Sequence, residues 1–298
     1  MALGGQQPVS APFILPIGQP LDLMSTLAGG QCFRWRQDDQ GRWHGVIGGD
    51  IVRLSMTDDG LVIESSPTSP AEIAESIVSY MRLDDDLTAI QKRLSSDQTV
   101  RQGIEHYPGM RIMRQEPWET LAGFILSSTS NIPRISGIME SLAETFGTIV
   151  SLPGLERTTF PSPDVLAEAG EDRLREMRCG FRAPYLAGAA HVVASGDLSL
   201  DKLRGAPYQE VLTQLTSLHG VGEKIADCVM LFSLDRSEAF PADRWVRKVL
   251  TEWYDLPLNV TYDGARQWAW NRFGSDAGYA NQYLFWYARQ SIRPMRLG

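Results

Sequence analysis

The stretch LTSLHGVGEKIADCVMLFSLDRSEAFPADRWVRKVL, residues 215–250, decides the fold. Two helical patterns flank the turn at residues 219–222, whose two glycines permit backbone conformations that a side chain would forbid. A phosphate group can therefore approach the N–H groups that open the second helix. The stretch predicts a helical hairpin that binds phosphate or, as the simpler alternative, an ordinary corner between two helices.

Lys224 and Asp243 are the candidate catalytic residues of this stretch. Lys224 falls in the first turn of the second helix, where the macrodipole disfavours positive charge, and a nucleophilic amine has to be uncharged. Asp243 precedes a helical pattern, where a carboxylate caps the helix and stays ionised. Such a carboxylate can stabilise a cationic transition state at a sugar, although capping alone would also explain it.

The rest of the chain divides into a β-rich part and a helical part. The segments CFRWRQ, RWHGVIGG and DIVRLSMTDDGLVIES predict short strands between residues 12 and 64, and a helix headed by a proline follows from residue 70. From residue 117 onward, helical periodicity predicts eight or so helices. The predicted fold class is α+β, with a small antiparallel β domain at residues 12–100, including one or two helices, and an all-α domain at residues 101–298.

Composition excludes several classes of protein. No apolar run is long enough to span a membrane and no signal peptide is evident, so the expected location is the cytoplasm or nucleoid. Cys32, Cys179 and Cys228 are too far apart to suggest a zinc site, an iron–sulfur cluster or a disulfide framework, and free buried thiols are expected.

The net charge of −8 is unevenly distributed along the chain. Residues 1–100 sum to −6, residues 101–239 to −5 and residues 240–298 to +3. The C-terminal excess comes from a basic segment, which comprises Arg244, Arg247, Lys248, Arg289, Arg293 and Arg296. Local contacts to a few phosphates are compatible with an acidic total.

The motif LHGVGEKIADC followed by FPAD resembles the helix-hairpin-helix, Gly/Pro-rich loop and aspartate signature of base-excision DNA glycosylases (HhH-GPD). With GGQCFRWR, RCGFRAPYL and AGYANQYLFWYAR, the chain more narrowly resembles the 8-oxoguanine DNA glycosylases, over most of residues 12–289. The resemblance implies a TBP-like N-terminal sheet followed by an HhH-GPD glycosylase domain.

The resemblance also implies a bifunctional DNA N-glycosylase and abasic-site lyase of base-excision repair. Such an enzyme flips 8-oxoguanine, paired with cytosine, out of the duplex. Lys224 would expel the base and form a Schiff base, β-elimination would follow, and Asp243 would stabilise the developing charge. The implied partner is double-stranded DNA containing 8-oxoguanine, with no membrane and no obligate protein partner, and a monomer is expected. No cofactor or catalytic metal is implied, although a structural cation can bind the hairpin backbone in this family.

By match to the family motifs, further residues contact the base or the DNA. The Gly30 carbonyl would sense 8-oxoguanine, Phe285 and Cys228 would sandwich it, and either Asn281 or Gln282 would hydrogen-bond its pairing edge. Arg134 and Arg182 match the arginines that bind the orphaned cytosine. The other DNA-contacting candidates are Thr129, Asn131, Phe181, His219, Gly220, Val221, Gly222 and Trp245.

Four of these positions depart from the family pattern. Thr129 replaces an asparagine, Phe181 a tyrosine, His219 a proline and Trp245 a histidine. These changes concern selectivity for the opposite base and the contact to a phosphate, and they leave the Lys224 and Asp243 pair intact.

Two alternative functions remain at this point. One is a glycosylase for alkylated bases, which uses the aspartate with water and generally lacks the lysine. The other is a non-catalytic DNA-binding protein, which would need the hairpin but neither Lys224 nor Asp243.

Overall fold

A computed structural model describes residues 11–291 of the chain. The first part contains β1 (Phe13–Leu15), α1 (Leu23–Leu27), β2 (Arg36–Gln37), β3 (Trp43–Ile47), β4 (Asp50–Thr57), β5 (Gly60–Ser66), α2 (Pro70–Tyr80), α3 (Leu87–Leu94) and α4 (Gln98–His106). The second part contains α5 (Pro117–Leu126), α6 (Ile132–Phe146), β6 (Ile149–Leu152), β7 (Leu155–Thr158), α7 (Pro163–Leu174), α8 (Ala183–Ala194), α9 (Leu200–Leu203), α10 (Tyr208–Thr216), α11 (Glu223–Ser233), α12 (Arg244–Tyr254), α13 (Tyr262–Phe273) and α14 (Ala277–Ser291).

The N-terminal strands form one antiparallel sheet in the order β1-β5-β4-β3-β2. Leu54 of β4 pairs with Trp43 of β3 and with Ile63 of β5, and all three side chains are buried against α2. The alternation of apolar and polar residues predicted this sheet, and the α+β fold class is confirmed. The segment CFRWRQ was overpredicted, because only Arg36–Gln37 form a strand there.

The helices that follow the sheet are more numerous than predicted. Residues 12–100 include α1, α2, α3 and the start of α4, whereas one or two helices were expected. The helical pattern after residue 70 breaks at Arg82, whose φ of 48° lies in the left-handed region, and Asp86 caps a separate α3. Leu87, Leu94 and Val100 of α3 and α4 pack into the core of the helical part. The domain boundary at residue 100 stays a prediction.

The helical part includes one element that the sequence analysis missed. Strands β6 and β7 form a small hairpin where the sequence predicted only a break between helices, so this part is not purely helical. Each strand has four residues, which is too short for alternation to be evident, and Gly154 makes the turn at a φ of 71°.

The three cysteines are free and buried, as expected.

Asp235 connects the two parts of the molecule through three arginines. Arg82 follows α2, Arg114 precedes α5 and Arg204 follows α9, and their guanidinium nitrogens lie 2.8, 2.6 and 2.7 Å from the Asp235 carboxylate. Arg82 makes this contact as an ion pair without hydrogen-bond geometry. Although burial alone would raise it, hydrogen bonds from Arg114 and Arg204 hold the pKa of Asp235 below its usual value.

We predict that Asp235→Asn lowers the free energy of unfolding at pH 7 by about 2 kcal/mol, because it leaves buried Arg82 with only the longer contact to Asp85, at 3.8 Å. The partial exposure of Asp235 keeps the loss moderate. The lowered pKa means that the carboxylate stabilises the fold above the pKa of an unfolded aspartate. The difference in the free energy of unfolding between wild type and Asp235→Asn should therefore shrink as pH falls below about 4. Urea denaturation over this pH range tests the prediction, with exposed Asp58→Asn as the control. Equal stability of the two variants at pH 7 would contradict it.

Candidate active site

Lys224 lies in the first turn of α11, directly after the hairpin turn that joins α10 to α11. Its side chain is half-buried against α5. The ammonium group donates a hydrogen bond to Ser127 Oγ at 3.3 Å and lies 5.4 Å from the centroid of the Phe124 ring. The amine is thus positioned over an apolar wall at the positive end of a helix, as the sequence predicted.

The hairpin turn depends on close packing at Gly220. This glycine has a φ of 84°, and a Cβ there would lie 2.3 Å from Cγ of Tyr185 in α8. The Tyr185 ring also makes an edge contact with His219, at 4.7 Å between ring centroids. His219 and Gly222 are exposed, whereas Val221 is buried and anchors the turn in the core. Of the four hairpin candidates, Val221 is therefore the one whose side chain is buried in the core.

The hairpin backbone is compatible with the expected structural cation. The carbonyl groups of His219 and Gly220 accept no hydrogen bond from any described residue, whereas Leu218 O accepts one from Val221 N at 3.0 Å. Oxygen atoms that lack a donor suit a cation as well as water. Within residues 11–291, no three His, Cys, Asp or Glu side chains cluster as a metal site would require.

Asp243 caps α12 and is largely shielded from solvent. Its Oδ1 accepts a hydrogen bond from Val246 N at 2.8 Å. Burial raises the pKa of this carboxyl group, and the N–H bond, the positive charge of Lys224 and Arg289 oppose that rise. Within the described part of the chain, no direct ion pair joins Lys224 to Asp243. The positive charge of Lys224 therefore acts on Asp243 without a direct ion pair.

The loop that leads to Asp243 is fixed through its carbonyl groups. Ser237 O, Glu238 O, Phe240 O and Pro241 O accept hydrogen bonds from Gly278 N, Trp270 Nε1, Tyr262 Oη and Asn281 Nδ2, at 2.7, 2.7, 3.4 and 3.2 Å. All four donors belong to α13 and α14. A loop bound at four of the five residues 237–241 has little freedom to displace the Asp243 carboxylate that follows.

Gly30, Phe285 and Ile132 meet where the N-terminal part of the chain contacts the helical part. Gly30 has a φ of 79°, and a Cβ there would lie 3.0 Å from Phe285 Cε1 and 3.2 Å from Ile132 Cδ1. Cys228 lies one turn after Lys224 on α11 and is buried. Burial raises the pKa of its thiol to about 12, against the opposing charge of Lys224, so the sulfur is neutral and suited to packing against an apolar face.

Asn281 and Gln282 are both buried on α14, three or four residues before Phe285. Asn281 Nδ2 donates to Pro241 O at 3.2 Å, on the Asp243 side. Gln282 Nε2 donates to Gly29 O at 2.8 Å, beside Gly30. The two amides thus lie at neighbouring positions of α14 and hold different segments. The Asn281 amide holds the loop before Asp243, and the Gln282 amide holds the backbone beside Gly30.

The candidates for contact with the opposite DNA strand fall into exposed and buried groups. Arg134, Asn131 and Phe181 are exposed. Arg182 is 1% exposed, and its Nε donates to Ser128 O at 2.7 Å while Nη2 donates to Thr129 O at 3.1 Å. Through these bonds Arg182 stabilises the turn at Thr129, whose φ is 48°. The guanidinium carbon of Arg182 lies 4.3 Å from the centroid of the Phe181 ring.

Arg289 is a site residue that the sequence analysis placed only in the basic segment. It is half-buried on α14, one turn after Phe285, with its guanidinium carbon 6.0 Å from the Phe285 ring centroid. Burial lowers the pKa of Arg289, and the Asp243 carboxylate opposes this shift. The four-residue spacing from Phe285 was a usable signal. Arg293 and Arg296 of the basic segment lie outside the described residues.

Trp245, another predicted contact to DNA, is half-buried and follows Asp243 in the first turn of α12.

A separate cavity of about 410 Å³ lies between the N-terminal sheet and α5. Trp35, Tyr80, Arg114 and Glu119 line it, and it shares only Phe124 with the surroundings of Lys224. None of the predicted site residues borders it.

None of the helices that the structure describes is both long and apolar enough to cross a membrane.

Comparison with known proteins places this geometry among DNA repair enzymes. Residues 14–121 match the 8-oxoguanine DNA glycosylase N-terminal domain, and residues 122–273 match the HhH-GPD superfamily of base excision DNA repair proteins. The N-glycosylase/DNA lyase OGG1 of Arabidopsis thaliana is 31% identical over 280 residues, covering 89% of this chain and 76% of the relative. The N-glycosylase/DNA lyase of Saccharomyces cerevisiae is 29% identical, with coverage of 89% and 82%.

A solved structure of similar shape is that of the Clostridium acetobutylicum 8-oxoguanine glycosylase/lyase, in complex with double-stranded DNA that contains cytosine opposite 8-oxoguanine. It has a TM-score of 0.88 and 30% identity, and the match covers 96% of this chain and all of that one.

We predict that Gly220→Ala lowers the free energy of unfolding by at least about 2 kcal/mol, because a side chain there requires a positive φ and overlaps Tyr185. Gly222→Ala is the matched control in the same turn, since its Cβ would meet no atom within 4 Å, and its effect should stay below about 1 kcal/mol. Chemical denaturation of both variants measures the difference. A similar loss in both would show that the Tyr185 contact does not constrain the hairpin.

Proposed function

This chain belongs to the HhH-GPD superfamily of base excision DNA repair proteins, with an 8-oxoguanine DNA glycosylase N-terminal domain, and we propose that it excises 8-oxoguanine opposite cytosine and then cleaves the DNA strand as a lyase. The activity follows that of the N-glycosylase/DNA lyase relatives. The observation that supports it most strongly is the half-buried Lys224 amine, whose positive charge acts on the pKa of the Asp243 carboxyl group.

We propose that Lys224 is the nucleophile. After loss of a proton, its Nζ forms a bond to C1′ of the deoxyribose while the C1′–N9 bond breaks, and the base departs with the electron pair and takes up a proton. The Asp243 carboxylate stabilises the positive charge that develops on the sugar. Ring opening gives the Schiff base, and loss of a C2′ proton with the 3′ phosphate then breaks the strand.

The surroundings of the pair support a site for the flipped base. Phe285 and Cys228 present apolar surfaces, the Gly30 backbone is exposed to close approach because it has no side chain, and the amide of Asn281 or Gln282 supplies hydrogen bonds. Selectivity for the base comes from these groups in our proposal. A cation on the free carbonyl groups of the hairpin would assist binding of the DNA phosphate there.

We propose that Arg134, Asn131 and Phe181 contact the strand around the vacated position. They are exposed, in accord with this role. Arg182 would contribute by ordering the Thr129 turn, or by exchanging its carbonyl partners for the orphaned cytosine when DNA binds. The hairpin residues and Trp245 would contact the phosphates of the damaged strand.

The proposed chemistry is tested by borohydride trapping on an 8-oxoguanine:cytosine duplex. Wild type should become covalently bound to the DNA, and Lys224→Gln should reduce the trapped product to background, because reduction requires the Schiff base. Lys202→Gln is the matched control, as Lys202 is an exposed lysine of α9, and it should trap like wild type.

Two outcomes would support the alternatives instead. Excision by wild type without trapping would indicate a water-dependent glycosylase of the kind that acts on alkylated bases. Binding of the duplex without excision or trapping would indicate a non-catalytic DNA-binding protein.

We predict that the pH–rate profile of single-turnover excision bends downward on the acid side at a higher pH than a free aspartate would cause, because the pKa of Asp243 is raised and its protonated form is inactive. Asp243→Asn should remove this bend and lower the rate on the order of 10²-fold, while asparagine still caps α12. The loss of a proton from Lys224, which the reaction requires in both proteins, leaves a shallower dependence on pH in the variant. The pH–rate profiles of both proteins measure this, and an unchanged bend in Asp243→Asn would refute the assignment.

A further inference from the structure

Asp227 is a fully buried carboxyl group that the proposed chemistry does not use. It lies on α11, three residues after Lys224 and next to Cys228. The phenol groups of Tyr208 and Tyr262 both donate hydrogen bonds to it, the latter at 2.6 Å. The carboxylate is therefore held by two phenols.

The two tyrosines connect Asp227 to different parts of the molecule. Tyr208 begins α10, the first helix of the hairpin. Tyr262 begins α13, and its hydroxyl group also lies 3.4 Å from Phe240 O, three residues before Asp243. Tyr262 is thus in contact both with the helix that bears Lys224 and with the loop that bears Asp243.

The charges around Asp227 do not neutralise it directly. No ion pair reaches its carboxylate from any residue that the structure describes. Arg266 of α13 faces the cluster, with its guanidinium carbon 5.7 and 5.8 Å from the Tyr208 and Tyr262 ring centroids, but its nitrogens lie 2.6 Å from Asp263 and 3.7 Å from Glu223. Burial raises the pKa of Asp227 to about 6, against the two phenol bonds.

A buried carboxylate without a direct cation is a poor means of stabilising a fold. An apolar side chain of similar volume is usually as good or better, whereas a hydrogen-bonded polar cluster fixes one arrangement of the elements that it joins. The elements joined here are α10, α11, α13 and the loop before Asp243.

We infer that Asp227 is a positioning residue, which together with Tyr262 fixes Lys224 relative to Asp243. The inference rests on the proposed function, because that separation matters only if both groups act on one sugar. A displacement of about 1 Å between reacting groups can lower a rate by up to 10²-fold. Loss of this link should therefore affect the chemical step more than DNA binding.

The two tyrosines provide a matched pair of variants. Tyr262→Phe and Tyr208→Phe each remove one phenol bond to the same carboxylate, but only the first removes a contact with the Asp243 loop. We expect Tyr262→Phe to lower the single-turnover excision rate at saturating DNA about tenfold, with the half-saturating DNA concentration changed less than twofold. Tyr208→Phe should keep the rate within about twofold of wild type, with a similar change in Tm.

Asp227→Asn extends the test through a double-mutant cycle. It should lower the saturated rate about as much as Tyr262→Phe does, and the double variant should be little slower than either single variant, because all three remove one link. Equal rate losses in the two tyrosine variants, an unchanged rate in Tyr262→Phe, or rate losses that multiply in the double variant would each overturn the inference. Wild type that fails to excise 8-oxoguanine would refute the proposed function, and the inference with it.

Discussion

The proposed chemistry depends on an amine and a carboxylate whose charges act on each other without a direct ion pair. Lys224 is held over the Phe124 ring by Ser127, and Asp243 is held by the N–H groups of α12. Each charged group therefore has a partner other than the opposite charge. Burial raises the pKa of Asp243, and the N–H bond and the charge of Lys224 act against that rise.

Both parts of the chain are needed to complete this site. The N-terminal part supplies Gly30, which meets Phe285 of the last helix, while Gln282 of that helix holds the Gly29 carbonyl. The Asp235 cluster joins the same two parts at another contact. The candidate site therefore depends on how the N-terminal part is positioned against the helical part. A shift between the two parts would move the Gly30 backbone away from the Phe285 ring.

Much of this arrangement could be predicted because it follows from local rules. Glycines in the turn, a cap at Asp243 and helical periodicity are encoded within a few residues. The burial of Arg182 and the link from Tyr262 to Phe240 arise from tertiary packing, which no local pattern specifies. The approach of Arg289 to Phe285 could have been predicted from their four-residue spacing on α14. The hairpin of β6 and β7 was missed for a simpler reason, since four-residue strands show too little alternation.

The central claim is that one lysine forms the covalent bond to DNA, and the chain offers only four lysines: Lys92, Lys202, Lys224 and Lys248. Mass spectrometry of peptides from the borohydride-reduced, nuclease-treated complex with an 8-oxoguanine:cytosine duplex identifies the modified residue directly. The account predicts a sugar adduct on Lys224 and none on the other three lysines. An adduct on another lysine or on the N-terminal amine would contradict it.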